Sequence, residues 1–281
     1  MKKTEINNKS NVKVLKINIL ETQNVNKNFS GLQALRNVSV TIKRHKIIGL
    51  IGPNGSGKST LFNVITSIIP QDEDDSGRIH LDGKIINNNK THELVHKGLV
   101  RTFQVTQIFP MLTVLENMLL AAQSHPGENL STVIIDIIKR LFKKSTWEKN
   151  ELQFAESAIE ILRYLEIDHL ALEKAEVLSG GQRKLLALGR ALMTAGKVIL
   201  LDEPVAGVNP TLSNRIFEKI DEIRKEETTF FIVEHNMDVI MNSSDEIFVL
   251  SKGEIIAHGS PSEVQGDPKV LDAYLGNVEE D

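Results

Sequence analysis

Apolar residues along this chain follow two periods, and the change from one to the other divides it. From about Ile19 to Ile86 the pattern is short and strand-like. Val38-Ser-Val-Thr-Ile42 alternates apolar and polar, which sends one set of side chains to one face. Ile79-His-Leu81 followed by Asp82-Gly83 predicts a hairpin, because that dipeptide accepts the positive φ angles of a tight turn. Ile47-Ile-Gly-Leu-Ile51 is almost continuously apolar, as expected of a strand covered on both faces, and this implies a parallel, helix-flanked sheet.

Residues 113–166 read as helix. Leu152, Ala155, Ile159, Leu162 and Leu165 recur at three- and four-residue spacing, and Thr113-Val-Leu-Glu116 has the form of a capping box. After Leu178 strand and helix alternate again: Val198–Leu201 as strand, a helix with Ile216, Ile220 and Ile223 on one face, then Phe230-Phe-Ile-Val233 as a second buried strand. Ser260-Pro-Ser-Glu263 starts a short helix, and another follows Pro268 and ends near Gly276. No internal repeat is visible. The expected organisation is a tail over 1–16, an α/β domain over 17–259 with a helical insertion at about 105–178, and a helical extension over 260–281.

Composition narrows the class. The 281 residues are 41% hydrophobic and 25% charged, the range of a soluble globular protein. Lysine and arginine number 33 against 37 acidic residues, a net charge of −4, so there is no sequence-wide attraction to nucleic acid and none is expected as a partner. The absence of cysteine removes disulfides, thiolate metal sites and thiol catalysis. Residues 1–16 carry five lysines without the apolar core of a secretory signal and read as a mobile tail. The longest apolar runs fall far short of the ~20 residues that span a bilayer. Two charged stretches read as solvated surface: Asp72-Glu-Asp-Asp75, which lacks calcium-loop spacing, and the basic face of Lys139, Arg140, Lys143 and Lys144.

The chemistry concentrates in Gly52, Pro53, Asn54, Gly55, Ser56, Gly57, Lys58, Ser59 and Thr60. This G-x-x-x-x-G-K-S segment directly follows one predicted strand and precedes an apolar helix start, Leu61-Phe-Asn-Val-Ile65. Glycines let backbone amides converge on an anion, and a helix N-terminus adds about half a positive charge. Lys58 then reaches β- and γ-phosphates and Ser59 can hold magnesium. Val198-Ile-Leu-Leu-Asp-Glu203 delivers two carboxylates at the ligand-binding end of a strand. Asp202 suits the magnesium shell, and Glu203 is placed to polarise an attacking water.

Leu178-Ser-Gly-Gly-Gln-Arg-Lys184 opens a second helix with a capping box at Ser179 and Gln182 and with two glycines, Gly180 and Gly181, that permit backbone to approach an anion. One nucleotide already has its cradle, and at this point the chain resembles the ATP-binding cassette (ABC) proteins. The resemblance runs from Ile19 to Gly276 with the motifs in family order. It implies a RecA-like P-loop NTPase core with a mostly parallel sheet, an N-terminal antiparallel β sub-domain and an inserted helical sub-domain. It also implies that Phe29 stacks on adenine, where the family prefers tyrosine, that Gln104 senses the γ-phosphate and joins the metal site, and that His235 is the switch histidine. Asn209 stands where many relatives carry aspartate.

The same resemblance implies ATP/ADP and Mg2+ as cofactors. The working unit it implies is a head-to-tail dimer, with an identical or a homologous ATPase, in which one chain's Ser179–Gln182 segment completes the site begun by the other's Lys58. Ala206-Gly-Val-Asn-Pro210, Arg101-Thr-Phe-Gln104, Val233-Glu-His235 and Ala273-Tyr-Leu-Gly276 look most like the ATPase subunits of branched-chain amino acid importers, with urea or amide importers as the near alternative. Permease partners, a substrate-binding protein and a place at the cytoplasmic membrane face would follow. The apolar Ile108-Phe109-Pro-Met-Leu112 is the segment expected either to receive a permease helix or to pack as a connector. A soluble cassette acting on nucleic acid and a non-hydrolysing regulator are the competing classes.

Overall fold

The computed structural model describes residues 17–72, 77–102, 108–122 and 148–275. The readings on residues 1–16, 73–75, Gln104, 139–144 and Gly276 lie outside them.

Two sheets carry the chain. The first is antiparallel and four-stranded, built from β1 (Asn18–Phe29), β2 (Leu32–Lys43), β4 (Arg78–Leu81) and β5 (Lys84–Ile85) in the order β2-β1-β4-β5. The Asp82-Gly83 turn joins β4 to β5 with φ of 51° and 73°, the left-handed pair that sequence anticipated. The second sheet runs β10-β9-β3-β8-β7-β6. It combines β3 (Ile47–Ile51) and β6 (Leu99–Arg101) with β7 (Val198–Asp202), β8 (Thr229–Val233), β9 (Glu246–Ser251) and β10 (Glu254–Gly259). All its ladders are parallel except β9–β10.

The continuous apolar runs make sense against the packing. Alternate residues of one strand enter different cores: Ile47, Ile51, Ile199, Leu201, Phe230 and Ile232 join one cluster, and Ile48, Leu50, Val198, Leu200, Phe231 and Val233 the other. Each such side chain contributes about 1.5–3 kcal/mol by leaving water.

The first cluster is covered by α3 (Val114–Leu119), α4 (Glu148–Tyr164), α5 (Gly180–Met193), α6 (Pro210–Arg224) and α7 (Met237–Ser243), with α8 (Pro261–Gln265) and α9 (Pro268–Leu275) closing it. The second lies under α1 (Lys58–Ile65), α2 (Thr91–His96) and the antiparallel sheet. In α4 the buried line is Ala158, Leu162 and then Leu165, with Ala155 and Ile159 only half-buried, so the apolar stripe is turned slightly from the expected one. The capping boxes at Thr113, Ser179 and Ser260 all form, each worth about 1 kcal/mol. Among the described residues no helix is long and apolar enough to cross a membrane.

Candidate functional site

The glycine-rich loop leaves the C-terminal end of β3, the central strand of the parallel sheet, and runs into α1. Its backbone is held by chain from elsewhere. A Cβ on Gly52 would lie 1.9 Å from the Leu250 carbonyl oxygen, and one on Gly57 would lie 2.6 Å from that of Ala34, so both positions need glycine. The Gly253 N–H donates to the Ser56 carbonyl at 3.0 Å. Gly57, at φ 107°, starts α1 without a side-chain cap, so no side chain claims the first-turn amides. Lys58 Nζ donates to the Gly52 and Pro53 carbonyls at 2.8 and 2.9 Å and to Ser56 Oγ at 3.4 Å, while Ser59 is exposed. Burial pushes the Lys58 ammonium below its ordinary pKa, opposed by the negative charges of Glu203 and Asp202. The charges of those two carboxylates are thus felt at the phosphate-loop lysine.

Asp202 ends β7, 3% exposed, paired in register with Val233. Its Oδ2 accepts from Arg101 at 2.8 Å, and its Oδ1 is buried with no hydrogen-bond partner. An orphaned carboxylate oxygen suits a magnesium ion that takes its remaining ligands from water and phosphate. No group of three or more His, Asp or Glu side chains able to hold an ion alone occurs among the described residues.

Glu203 has φ 49°, a left-handed conformation costing about 1–2 kcal/mol outside glycine. It is held there by its N–H donating to the Val233 carbonyl at 2.9 Å and by Lys184 Nζ donating to its own carbonyl at 2.8 Å. The carboxylate meets His235 Nε2 at 2.9 Å. Beneath this pair lies Glu234, 3% exposed: its Oε1 accepts from Val205 N at 2.9 Å, and its Oε2 from the amides of His235 and Asn236 at 3.0 and 3.3 Å. One buried carboxylate thus ties the loop after Glu203 to the loop carrying His235.

The Ser179–Gln182 segment is elsewhere on the surface, and no hydrogen bond or ion pair among the described residues joins it to residues 52–60. Ser179 Oγ accepts from Gln182 N at 3.3 Å, and Gln182 Oε1 accepts from Ser179 N at 2.8 Å. Gly180 has open space where a Cβ would stand, whereas on Gly181 that atom would fall 2.2 Å from Leu212 Cδ2. Asn209 caps α6, its Oδ1 accepting from Leu212 N at 2.9 Å.

Phe29 ends β1 at the β1–β2 turn, 40% exposed, with Lys27 Nζ 5.5 Å from its ring centre. Asp72 is more than solvated surface. Its Oδ1 takes Lys27 Nζ at 2.5 Å, and its Oδ2 takes the backbone and side-chain amides of Asn28 at 2.7 and 2.9 Å, fixing the residues before Phe29. Tyr274 of α9 packs half-buried on the first cluster, and burial raises its hydroxyl pKa, opposed by the nearby Gly52 amide. Sequence reading passed over Arg101, Lys184, Glu234, Asp72 and Tyr274 as contributors. All five stood inside quoted motifs, but nothing local marks their tertiary partners.

The fold and this site define a P-loop nucleoside triphosphatase. The ABC transporter family profile matches residues 35–206, and that of the branched-chain amino acid ATP-binding cassette transporters matches 254–280. A probable branched-chain amino acid transport ATP-binding protein LivG of Methanocaldococcus jannaschii is 43% identical over 262 residues, covering 92% of this chain and 97% of that protein. A solved ATP-binding cassette of an ABC transporter, in its ADP conformation, superposes with TM-score 0.79 at 41% identity over 93% of this chain and 100% of its own. A dimeric cassette in a post-hydrolysis state, bound to ADP and Pi, gives TM-score 0.69 at 25% identity over 86% and 99%. The chain belongs to the ABC transporter family, as one of its ATP-binding, ATP-hydrolysing cassettes.

Proposed function

We propose that this chain is the ATPase subunit of a membrane importer for branched-chain amino acids, worked by ATP-driven closure of two cassettes. The observation that carries the reading is the Glu203–His235 pair at 2.9 Å, placed just beyond the ends of β7, which also presents Asp202, and β8, with the charge of Glu203 felt at Lys58. The cargo class rests on the relatives' names and on the family match at 254–280.

In this mechanism ATP lies with its phosphates against the amides of Gly55–Thr60. Lys58 exchanges its loop carbonyls for β- and γ-phosphate oxygens, and Phe29 stacks on the adenine face. Ser59, Asp202 and Gln104 would hold magnesium, which when bound would neutralise charge on the phosphates. Glu203 takes the proton of the attacking water. His235, donating through Nε2, holds that carboxylate in line and contacts the γ-phosphate. Ser179, Gly180, Gly181 and Gln182 act on the ATP of a partner cassette, identical or homologous, because Ser179 and Gly180 are exposed, Gly181 and Gln182 are only half-buried, and among the described residues no hydrogen bond or ion pair joins them to the loop of their own chain. Closure brings the α5 amides onto the γ-phosphate; its loss by hydrolysis reopens the pair.

The domain then runs over 17–259 with a helical insertion at about 105–178, and it works as a peripheral protein at the cytoplasmic membrane face, serving permease subunits and indirectly a substrate-binding protein. The permease-facing candidate is the 108–112 segment. Buried Asn117 shapes it, donating to the Phe109 and Thr113 carbonyls at 3.0 and 2.9 Å, while Phe109 and Met111 remain 38% and 67% exposed. The test is purification of the Glu203→Gln chain from its native membrane with ATP. ATP-dependent dimers, two permeases and a leucine-binding protein are expected; a chain that stays monomeric at every ATP concentration and pairs with no other cassette overturns the reading.

A further inference from the structure

We propose that Arg101 is a positioning residue for the metal-site carboxylate: its guanidinium fixes Asp202 Oδ2 and, through Asn63, ties that carboxylate to the helix of the phosphate loop. Three elements meet here. Arg101 is the last residue of β6, paired in register with Leu200 two residues before Asp202. Asn63 lies in α1, five residues beyond Lys58. Arg101 Nη2 donates to Asp202 Oδ2 at 2.8 Å, and Nη1 donates to Asn63 Oδ1 at 2.5 Å. The guanidinium carbon also stands 5.5 Å from the centre of the Phe62 ring, which limits rotation of the fork.

The side chains of Arg101 and Asp202 are only 6% and 3% exposed. A charge pair so deep offsets its desolvation only with good geometry and further hydrogen bonds. The planar fork provides both, since it reaches two acceptors from one rigid group; a lysine ammonium at the same place is a single flexible point of charge. The consequence lies on the other oxygen. An aspartate with two equivalent oxygens can turn about its last torsion, but with Oδ2 held only one orientation of Oδ1 remains, and Oδ1 is the atom left buried without a partner. An orphaned acceptor of this kind is unfavourable until something satisfies it. Arg101 therefore presets the oxygen that faces the magnesium shell, and its link to Asn63 keeps that oxygen in register with Lys58 and Ser59 on the same helix.

This rests on the reading of Asp202 as the metal-site carboxylate, and the experiment separates the two. The full-length chain, Arg101→Lys and Asp202→Asn are compared in two assays: ATP binding in EDTA, which needs the phosphate loop but no metal, and Mn2+ binding to the protein–ATP complex, followed by electron paramagnetic resonance. Arg101→Lys is expected to bind ATP in EDTA within about twofold of the parent and to require at least about tenfold more Mn2+. Asn63→Leu, which leaves the ion pair and removes only the second anchor, is expected to shift the Mn2+ requirement in the same direction by about threefold, and it stands in should Arg101→Lys fail to fold. An unchanged Mn2+ requirement in the folded variants overturns the proposal, as does an equal loss of metal-free ATP binding, which would make the role merely structural. If Asp202→Asn itself leaves Mn2+ binding unchanged, the metal-site reading fails instead.

Discussion

His235 Nε2 and Glu203 Oε1 stand 2.9 Å apart, each at the C-terminal end of one of two adjacent parallel strands, β8 and β7. Since the carboxylate can only accept, the imidazole donates through Nε2, and the pair is oriented before any substrate arrives. Glu203→Gln keeps the shape of the site and loses the base; turnover is expected to fall at least about 100-fold while ATP binding is retained. His235→Ala is expected to lose about tenfold or more. Single-turnover hydrolysis alongside nucleotide titration checks both, and near-normal turnover in Glu203→Gln would remove that residue from the role.

Gly181 tests the packing of α5 on α6. A methyl there meets Leu212 Cδ2 at 2.2 Å, and that atom is the far end of a flexible side chain. Gly181→Ala should therefore cost little stability, because Leu212 can turn away, and Leu212→Ala should relieve what cost there is in the double variant. Absence of coupling in a thermal double-mutant cycle would mean that the backbone, and not this contact, sets the requirement.

Glu234 joins two loops from a buried position, accepting three backbone amides. Its replacement by Ala leaves those donors short of partners, at about 1–3 kcal/mol for each one that water cannot reach. Denaturant unfolding of Glu234→Ala is expected to show a loss of that order together with reduced turnover; loss of turnover at unchanged stability would point to a direct role in the chemistry instead.

Asp72 carries a pH prediction. Burial alone would raise its pKa, but the Lys27 and Asn28 hydrogen bonds together hold it below the usual carboxylate value. A carboxyl depressed in the folded chain binds fewer protons there than in the unfolded one, so its stabilisation is present above about pH 4 and fades as pH falls through the lowered value. Asp72→Asn should lower stability at neutral pH, converge with the parent in acid, and weaken adenine nucleotide binding through Phe29. Parallel stability curves across that range would contradict it.

The continuous apolar runs at 47–51 and 198–202 announced strands buried on both sides, and the glycine loop between strand and helix announced its own chemistry, because both signals are local. Capping boxes at Thr113, Ser179 and Ser260 were readable for the same reason: cap and partner lie three residues apart. The brackets around the site were not. Arg101 with Asp202, Glu234 beneath Glu203 and Tyr274 against Gly52 each join segments far apart in the chain, and a buried arginine carries no periodic signature. Asn209, a departure from the family pattern by sequence, proves to be an ordinary helix cap.

The central strand β3 lies between β8 and β9, and the turn after β9 supplies the amide that meets Ser56. During synthesis, then, the motif at 52–60 leaves the ribosome some two hundred residues before its neighbours exist. Until residues 229–253 emerge, both flanks of Ile47–Ile51 are unpaired edges able to capture the wrong partner. The nascent protein becomes competent for nucleotide only once β9 and the turn after it have been made, so a premature stop anywhere before β9 is expected to yield an aggregation-prone fragment and not a slow enzyme.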